Sequence, residues 1–222
     1  HSLTKWLGGH GVGIGGVVID GGSFDWKHEK FTLYTQPDSS YHNVRFAYDL
    51  GGLSEVAFIT RLRLVPLRNV GACLSPDNAW QFLQGIETLA LRMQRHCENA
   101  SAVARFLEKH PAVDWVRYPG LKNNTNHNIA KKYFTRGFGG MVVFGISGGR
   151  TAGETFINKL SLFSHLANVG DAKSLAIHPA STTHAQLSEQ KLRNAGVAPE
   201  MIRLSIGIEH IDDIIDDLKQ AL

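Results

Sequence analysis

His1-Ser-Leu-Thr-Lys5-Trp-Leu-Gly-Gly-His-Gly11 opens the chain, and its reading decides how the rest is organised. A lysine that forms a Schiff base must be partly desolvated, so that its amine gives up a proton near neutral pH. If the carbonyl partner is a phosphorylated cofactor, hydroxyl donors are needed close by, and Ser2 and Thr4 supply two. The backbone must also pass close to a bulky group, which glycine permits. All three requirements are met within this one stretch. A glycine-rich turn carrying a solvated lysine is the plainer reading. The combination of Ser2, Thr4, Lys5 and the flanking glycines outweighs it.

The next residues hold a false lead. Gly11-Val-Gly-Ile-Gly-Gly16 matches the dinucleotide pattern G-x-G-x-x-G. That pattern works only between a strand and a helix N-terminus, where the helix dipole meets a pyrophosphate. Here the glycines run into Val17-Val-Ile-Asp20, and Gly15–Asp20 reads as a short β-branched strand. No helix start follows, so a nucleotide site is set aside.

Further along, residues 21–60 are polar and aromatic with weak periodicity, and Pro37–His42 reads as loop. Arg61-Leu-Arg-Leu-Val-Pro-Leu-Arg68 reads as a surface or subunit-contact strand rather than a nucleic-acid patch. Ser75 suits an N-cap and Pro76 the first helical position. From there Trp80, Leu83, Ile86, Leu89, Ala90, Met93, Cys97, Ala100, Ala104 and Leu107 recur at three and four. The spacing predicts one helix of ~30 residues, ~45 Å long, joining one domain to the next and ended by His110-Pro111. Strands are predicted over 113–118, 140–146, 174–177 and 201–208, and helices over 126–134, 152–163, 188–195 and 211–222. Such alternation means an α/β fold.

In Met201-Ile-Arg-Leu-Ser-Ile-Gly-Ile208, strand alternation puts Ile202, Leu204, Ile206 and Ile208 on a core face. Arg203 lies on the other face between small residues, with room for a planar anion. A structural salt bridge and a bidentate carboxylate clamp fit it equally. The polar stretches Asn168–Ser174 and His178–His184 are loops of the kind that line sites. The acids of His210–Asp217 read as a solvated helix face, with Ile211, Ile214, Ile215 and Leu218 buried.

Composition limits the function classes. The 222 residues are 43% hydrophobic and 19% charged, which is a globular and not a disordered balance. The net charge is +3. Lys and Arg are scattered among the acids, unlike the clustered charge of a nucleic-acid binder. Cys73 and Cys97 have no metal or redox spacing, and the histidines have no helical metal spacing. No apolar run nears the roughly 20 residues of a membrane span, and no secretory signal is visible. A cytoplasmic protein without metal, nucleic-acid or membrane partners is expected.

Taken together, four segments resemble the Cys/Met-metabolism family of enzymes dependent on pyridoxal 5′-phosphate (PLP). They are the Ser2–Gly11 opening, Leu74-Ser-Pro-Asp with Leu91-Arg-Met-Gln-Arg-His-Cys97, His178–His184, and Ile202-Arg-Leu-Ser-Ile-Gly-Ile-Glu209. The resemblance implies the α/β architecture of PLP-dependent transferases, the aspartate-aminotransferase-like fold type I. Residues 1–91 would close the large cofactor domain, and residues 92–222 would form the C-terminal small α/β domain. The family's cofactor lysine falls on Lys5, its phosphate-contacting hydroxyls on Ser2 and Thr4, and its carboxylate-binding arginine on Arg203. A second carboxylate contact falls on Asn168, often serine in relatives, and Thr183 belongs near the same pocket.

Within the family, the Asp25–Val70 stretch and Leu166-Ala-Asn-Val-Gly-Asp-Ala-Lys173 are similar to the branch that replaces the acetoxy group of O-acetylhomoserine with sulfide. Cystathionine chemistry and methionine cleavage use the same fold, and a non-catalytic interaction domain is the reading from another class. The family's glycine-rich phosphate turn, ring-stacking aromatic and ring-nitrogen aspartate have no place here. This implies an N-terminal half of the same protein as partner, and a homo-oligomer built as a dimer of dimers.

Overall fold

The computed structural model describes residues 1–222, the side chain of Glu189 excepted. The chain forms two compact units, one of His1 with Gly15–Ala79 and one of Ser2–Ile14 with Trp80–Leu222.

The first unit is built on aromatic contacts and short helical turns. Trp26 stacks on Phe58 with ring centroids 5.7 Å apart and meets Tyr34 at 4.5 Å. Phe46, Ala57 and Val65 form its buried centre. Helix α1 spans Thr32–Thr35, α2 Ala57–Leu62 and α3 Arg68–Val70, with a π turn at Arg63–Leu67 between the last two. The strand expected at Arg61–Arg68 is therefore helical. Leu62 and Leu64 alternate as a strand would, but Ala57, Thr60 and Leu64 also follow helical spacing and turn inward. A helix satisfies its backbone locally, whereas a strand needs a neighbour. Pro66 removes one N–H, and the turn around it is wide. Arg61 turns back to pair with Asp38 at 2.9 Å.

The strand expected over Gly15–Asp20 is also absent. Val17 exchanges two hydrogen bonds with His1, at 2.9 and 2.7 Å, and Val18 and Ile19 stay exposed. β-branched residues favour strands only where a neighbour and a covered face are present.

The second unit carries the sheet. Helix α4 (Pro76–Glu87) leads into α5 (Leu89–Leu107), and the single predicted helix breaks at Thr88, where φ is −99° and ψ 2°. The buried face of α5 also differs from the predicted stripe. Arg92, His96 and Asn99 point inward, followed by Ala100, Val103, Ala104 and Leu107. Trp80 and Leu83 are exposed, and Cys97, expected in the core, is half-buried.

Beyond α5 come β1 (Val113–Arg117), α6 (His127–Tyr133), β2 (Met141–Ile146), α7 (Gly149–Lys159), β3 (Ser164–His165), β4 (Leu175–Ile177), α8 (Glu189–Asn194), β5 (Met201–Ser205) and α9 (Ile211–Ala221). The sheet order is β1-β2-β5-β4-β3, antiparallel except for the β3–β4 pair. Val142 and Phe144 of β2 and Ile202 and Leu204 of β5 share one core with Leu107, Phe156, Ile214 and Leu218. The Phe144 and Phe156 rings meet edge to face at 5.5 Å. Helices α5, α7 and α9 thus bury one face of the sheet, and alternation turns Arg203 and Ser205 to the other. Arg203 stands in register between Val143 on β2 and Ile177 on β4.

The last strand was expected to run to Ile208, but it ends at Ser205. Ile206 N–H donates to Gly140 O at 2.8 Å, whereas Ile208 N–H donates to Ala172 O at 2.9 Å. The chain leaves the ladder to hold a loop, and Ile208 is partly exposed. Among the described residues no helix is long and apolar enough to cross a membrane.

One acid of α9 departs from the solvated face. Asp217 is buried and accepts the backbone N–H groups of Ser161, Leu162 and Phe163 at 2.8, 2.9 and 3.2 Å. It thereby satisfies the turn between α7 and β3. Asp217→Ala should cost about 1–3 kcal/mol by leaving those donors without a partner. The exposed Asp213→Ala should cost well under ~1 kcal/mol. Denaturant unfolding of the two variants measures the difference.

Candidate active site

Leu3–Leu7 form a π turn in which Lys5 leaves helical geometry, with φ −95° and ψ −130°. Gly8 N–H donates to Leu3 O at 2.9 Å and Gly9 N–H to Lys5 O at 2.8 Å, closing the turn. Helix α4 supports it from the side through Gly85. A Cβ at that position would sit 2.1 Å from Gly8 O, so only glycine lets the helix come this near.

The Lys5 amine reaches across to another loop. Its Nζ donates to Asn168 Oδ1 at 2.5 Å, and Lys5 forms no ion pair among the described residues. The Asn168 loop is fastened at three points. Gly170 N–H donates to Ser205 Oγ at 2.9 Å, Ala172 N–H to Gly9 O at 2.8 Å, and Ala172 O accepts from Ile208. Gly170 takes a left-handed φ of 76°, and a Cβ there would meet Trp6 N at 2.6 Å. The loop therefore lies directly on the lysine turn.

Arg203 is half-buried, and its guanidinium makes no hydrogen bond or ion pair among the described residues. Burial pushes its guanidinium below its ordinary pKa. A half-buried cation with no counter-charge is costly, and an anion beside it recovers that cost. The structural salt bridge considered from sequence is not made among the described residues. Arg203 lies two residues, about 7 Å along the strand, from Ser205, which holds the Asn168 loop.

The remaining candidates are placed less tightly. Ser2 is exposed at the start of the turn and Thr4 is half-buried within it. Thr183 is exposed, and its hydroxyl meets His184 Nδ1 at 2.8 Å. Among the described residues no hydrogen bond joins Thr183 to Lys5, Asn168 or Arg203. The stretch around it is anchored by His178, which is fully buried. Its Nε2 donates to Pro199 O at 2.6 Å, and its Nδ1 meets Ser181 Oγ at 2.8 Å.

Sequence reasoning missed the support beneath the lysine turn. Trp6 meets His96 edge to face at 4.9 Å. His96 Nδ1 donates to Ile206 O at 2.7 Å, and Asn99 Nδ2 donates to the carbonyls of Gly207 and Glu209, each at 3.0 Å. The signal was present in the spacing. Arg92, His96 and Asn99 fall at i, i+4 and i+7, in line with Val103 on the buried face.

A lysine amine held by a neutral amide oxygen thus lies against a loop fastened to β5, the strand that carries the half-buried guanidinium of Arg203, on an α/β scaffold. Over residues 1–222 the chain matches the family described as Cys/Met metabolism PLP-dependent enzyme, and it belongs to that family. It is 56% identical to an O-acetyl-L-homoserine sulfhydrylase of Leptospira meyeri, with all of this chain and 52% of the relative aligned. A homocysteine synthase of Schizosaccharomyces pombe is 49% identical with the same coverage. Among solved structures, a protein assigned as an O-acetylhomoserine (thiol)-lyase from Campylobacter jejuni superposes with a TM-score of 0.88 at 42% identity. It covers 100% of this chain and 52% of that one, and carries an N′-pyridoxyl-lysine-5′-monophosphate. The α/β fold is that of the fold type I PLP enzymes. The chain spans about half the length of the curated relatives it matches.

His96 generates a pH prediction. Burial lowers its pKa most, and the nearby Arg92 charge lowers it further, against the opposing bond to Ile206. The native ring is held neutral, whereas the unfolded ring titrates near its ordinary value of about 6.5. Stability is therefore lost as pH falls below about 6.5 towards the lower native value, because only the unfolded state takes up the proton. Between pH 7.5 and 5.5 His96→Gln should lose less stability than the parent, read from denaturant midpoints at the two pH values.

Proposed function

We propose that this chain supplies the lysine-bearing part of a PLP-dependent enzyme that replaces the acetoxy group of O-acetyl-L-homoserine with sulfide, giving L-homocysteine and acetate. One observation carries the reading: among the described residues the Lys5 amine meets the neutral oxygen of Asn168 at 2.5 Å and no carboxylate, on a loop anchored to β5 one pleat from Arg203, whose guanidinium has no partner there. This fits PLP and an amino acid together. The amine is available to a carbonyl, and the guanidinium is available to a carboxylate. The hydroxyl of Ser2 is exposed and makes no hydrogen bond among the described residues, so it can meet a phosphate.

Lys5 holds the cofactor through its amine, with Ser2 and Thr4 on the phosphate side. Bound PLP supplies an electron sink for the carbanion formed at the substrate α-carbon. Arg203 binds the substrate carboxylate with its fork, with Asn168 and Thr183 completing that side of the pocket. The freed Lys5 amine takes the α-proton and returns it, a general-base role that needs the amine poised near the α-carbon. Asn168 Oδ1 directs that amine by accepting its N–H.

The choice of acetylhomoserine and sulfide is supported by the names of the relatives and by the Asp25–Val70 and Leu166–Lys173 segments. The greater length of those relatives supports an N-terminal half as partner. In the whole protein, residues 1–91 would close the large cofactor domain and 92–222 form the small one. Assembly as a dimer of dimers in the cytoplasm completes the proposal.

Lys5→Ala in the full-length protein should abolish the visible absorbance of the lysine-bound cofactor and lower turnover on the order of 10²–10⁴-fold. Arg203→Ala should weaken acetylhomoserine binding by about 2–5 kcal/mol while leaving PLP binding nearly unchanged. Rates on acetylhomoserine with sulfide, cystathionine and methionine decide the substrate, and faster methionine cleavage would overturn the assignment.

A further inference from the structure

Arg92 is a buried cation that the proposed chemistry does not use. It is 5% exposed and has no carboxylate partner among the described residues. A buried charge is normally paired with an opposite one. Here four neutral oxygens surround it instead. Nη1 donates to Trp6 O at 2.9 Å, Nη2 to Leu7 O at 3.2 Å and to Gly85 O at 2.5 Å, and Nε to Thr88 Oγ1 at 3.1 Å. Trp6 and Leu7 are the two residues that follow Lys5. Gly85 lies in the last turn of α4, and Thr88 is the break between α4 and α5.

The arrangement is directional. A planar fork donates along fixed lines, so it fixes the two peptide planes it grips. Trp6 and Leu7 are thereby locked immediately downstream of the dihedral that turns Lys5 out of helical geometry. On the other side, Asn168 holds the amine itself. The helix break serves the same end, because it brings Gly85 O and the Thr88 hydroxyl onto the guanidinium that holds the turn.

We propose that Arg92 is the positioning residue for Lys5, gripping the backbone after the lysine so that its amine points at the cofactor and substrate. The proposal rests on the reading of Lys5 as the cofactor lysine. Arg92 touches neither reactant, and it acts only through the turn. A lysine at position 92 would keep the charge and lose the fork.

The test uses the full-length PLP-loaded protein with Arg92→Lys and Thr88→Val. Thr88 is exposed, and its substitution removes the acceptor of Nε together with the hydroxyl's own donation to Gly85 O at 3.3 Å, leaving the three carbonyl contacts of Arg92 in place. Three readouts are taken: kcat and KM for acetylhomoserine, the rate at which borohydride fixes pyridoxyl to Lys5 by peptide mass, and the pH titration of the visible band. Misplacement of the amine in Arg92→Lys should lower kcat and the fixation rate about 10–100-fold. KM should stay within about twofold, since Arg203 is untouched, and the titration of the band should move. Thr88→Val should show the same pattern at about two- to fivefold, since the hydroxyl it removes is solvent-exposed and the guanidinium keeps its three carbonyl acceptors. A folded Arg92→Lys protein with parental kcat and fixation rate overturns the proposal, as does a loss expressed in KM alone. If Arg92→Lys does not fold, parental values in Thr88→Val overturn it. Absence of pyridoxyl on Lys5 in the parent protein would instead overturn the functional reading on which the proposal stands.

Discussion

Strand β5, clasped between β2 and β4, is the constraint on which the site depends. Its inward residues Ile202 and Leu204 are fully buried, so the register of Arg203 and Ser205 on the opposite face cannot slip without exposing the core. Everything that defines the site branches from this strand and its continuation. Ser205 holds Gly170, and through that loop Asn168 meets Lys5. Ile206 O fixes His96 and hence the ring beside Trp6. Gly207 O accepts from Asn99, while Gly207 N–H donates to Ser174 Oγ. The lysine is 163 positions from Asn168, yet rigid hydrogen bonds define where it lies.

The charges follow from the same geometry. Lys5, Arg92 and Arg203 form no ion pair among the described residues, although the unit contains many acids. Arg92 is compensated by backbone and hydroxyl oxygens, which stabilise a cation without consuming it in a salt bridge. The guanidinium of Arg203 has no such compensation among the described residues. Among the described residues the Lys5 amine meets an amide oxygen, a partner that orients it by a single hydrogen bond. The three basic side chains thus differ in what surrounds each.

How much was legible in advance depended on whether a residue's role was local. The Ser2–Gly11 motif, the α/β alternation and the strand face carrying Arg203 could be read directly, because period and local chemistry encode them. The strands expected at 15–20 and 61–68 could not form, since a strand needs neighbours that periodicity does not reveal. The long helix failed at Thr88, where Arg92 reaches back to Gly85 and Thr88, and its expected apolar stripe gave way to Arg92, His96 and Asn99. Those polar residues are buried because carbonyls distant in the chain come to meet them.

The sequence by itself determined the composition of the site: a lysine among hydroxyls and glycines, an arginine on an alternating strand, and an asparagine in a polar loop. It also determined the layer type, since hydrophobic period specifies which faces can be buried. Only the tertiary structure decided which of these residues meet. It brought Asn168 onto the Lys5 amine, put Arg92 beneath the lysine turn, and, among the described residues, left the Arg203 guanidinium unpaired and Thr183 without a hydrogen bond to Lys5 or Asn168. Hydrogen bonds and desolvation are properties of atoms in contact, and contacts between residues more than 80 positions apart exist only once the sheet and helices have packed.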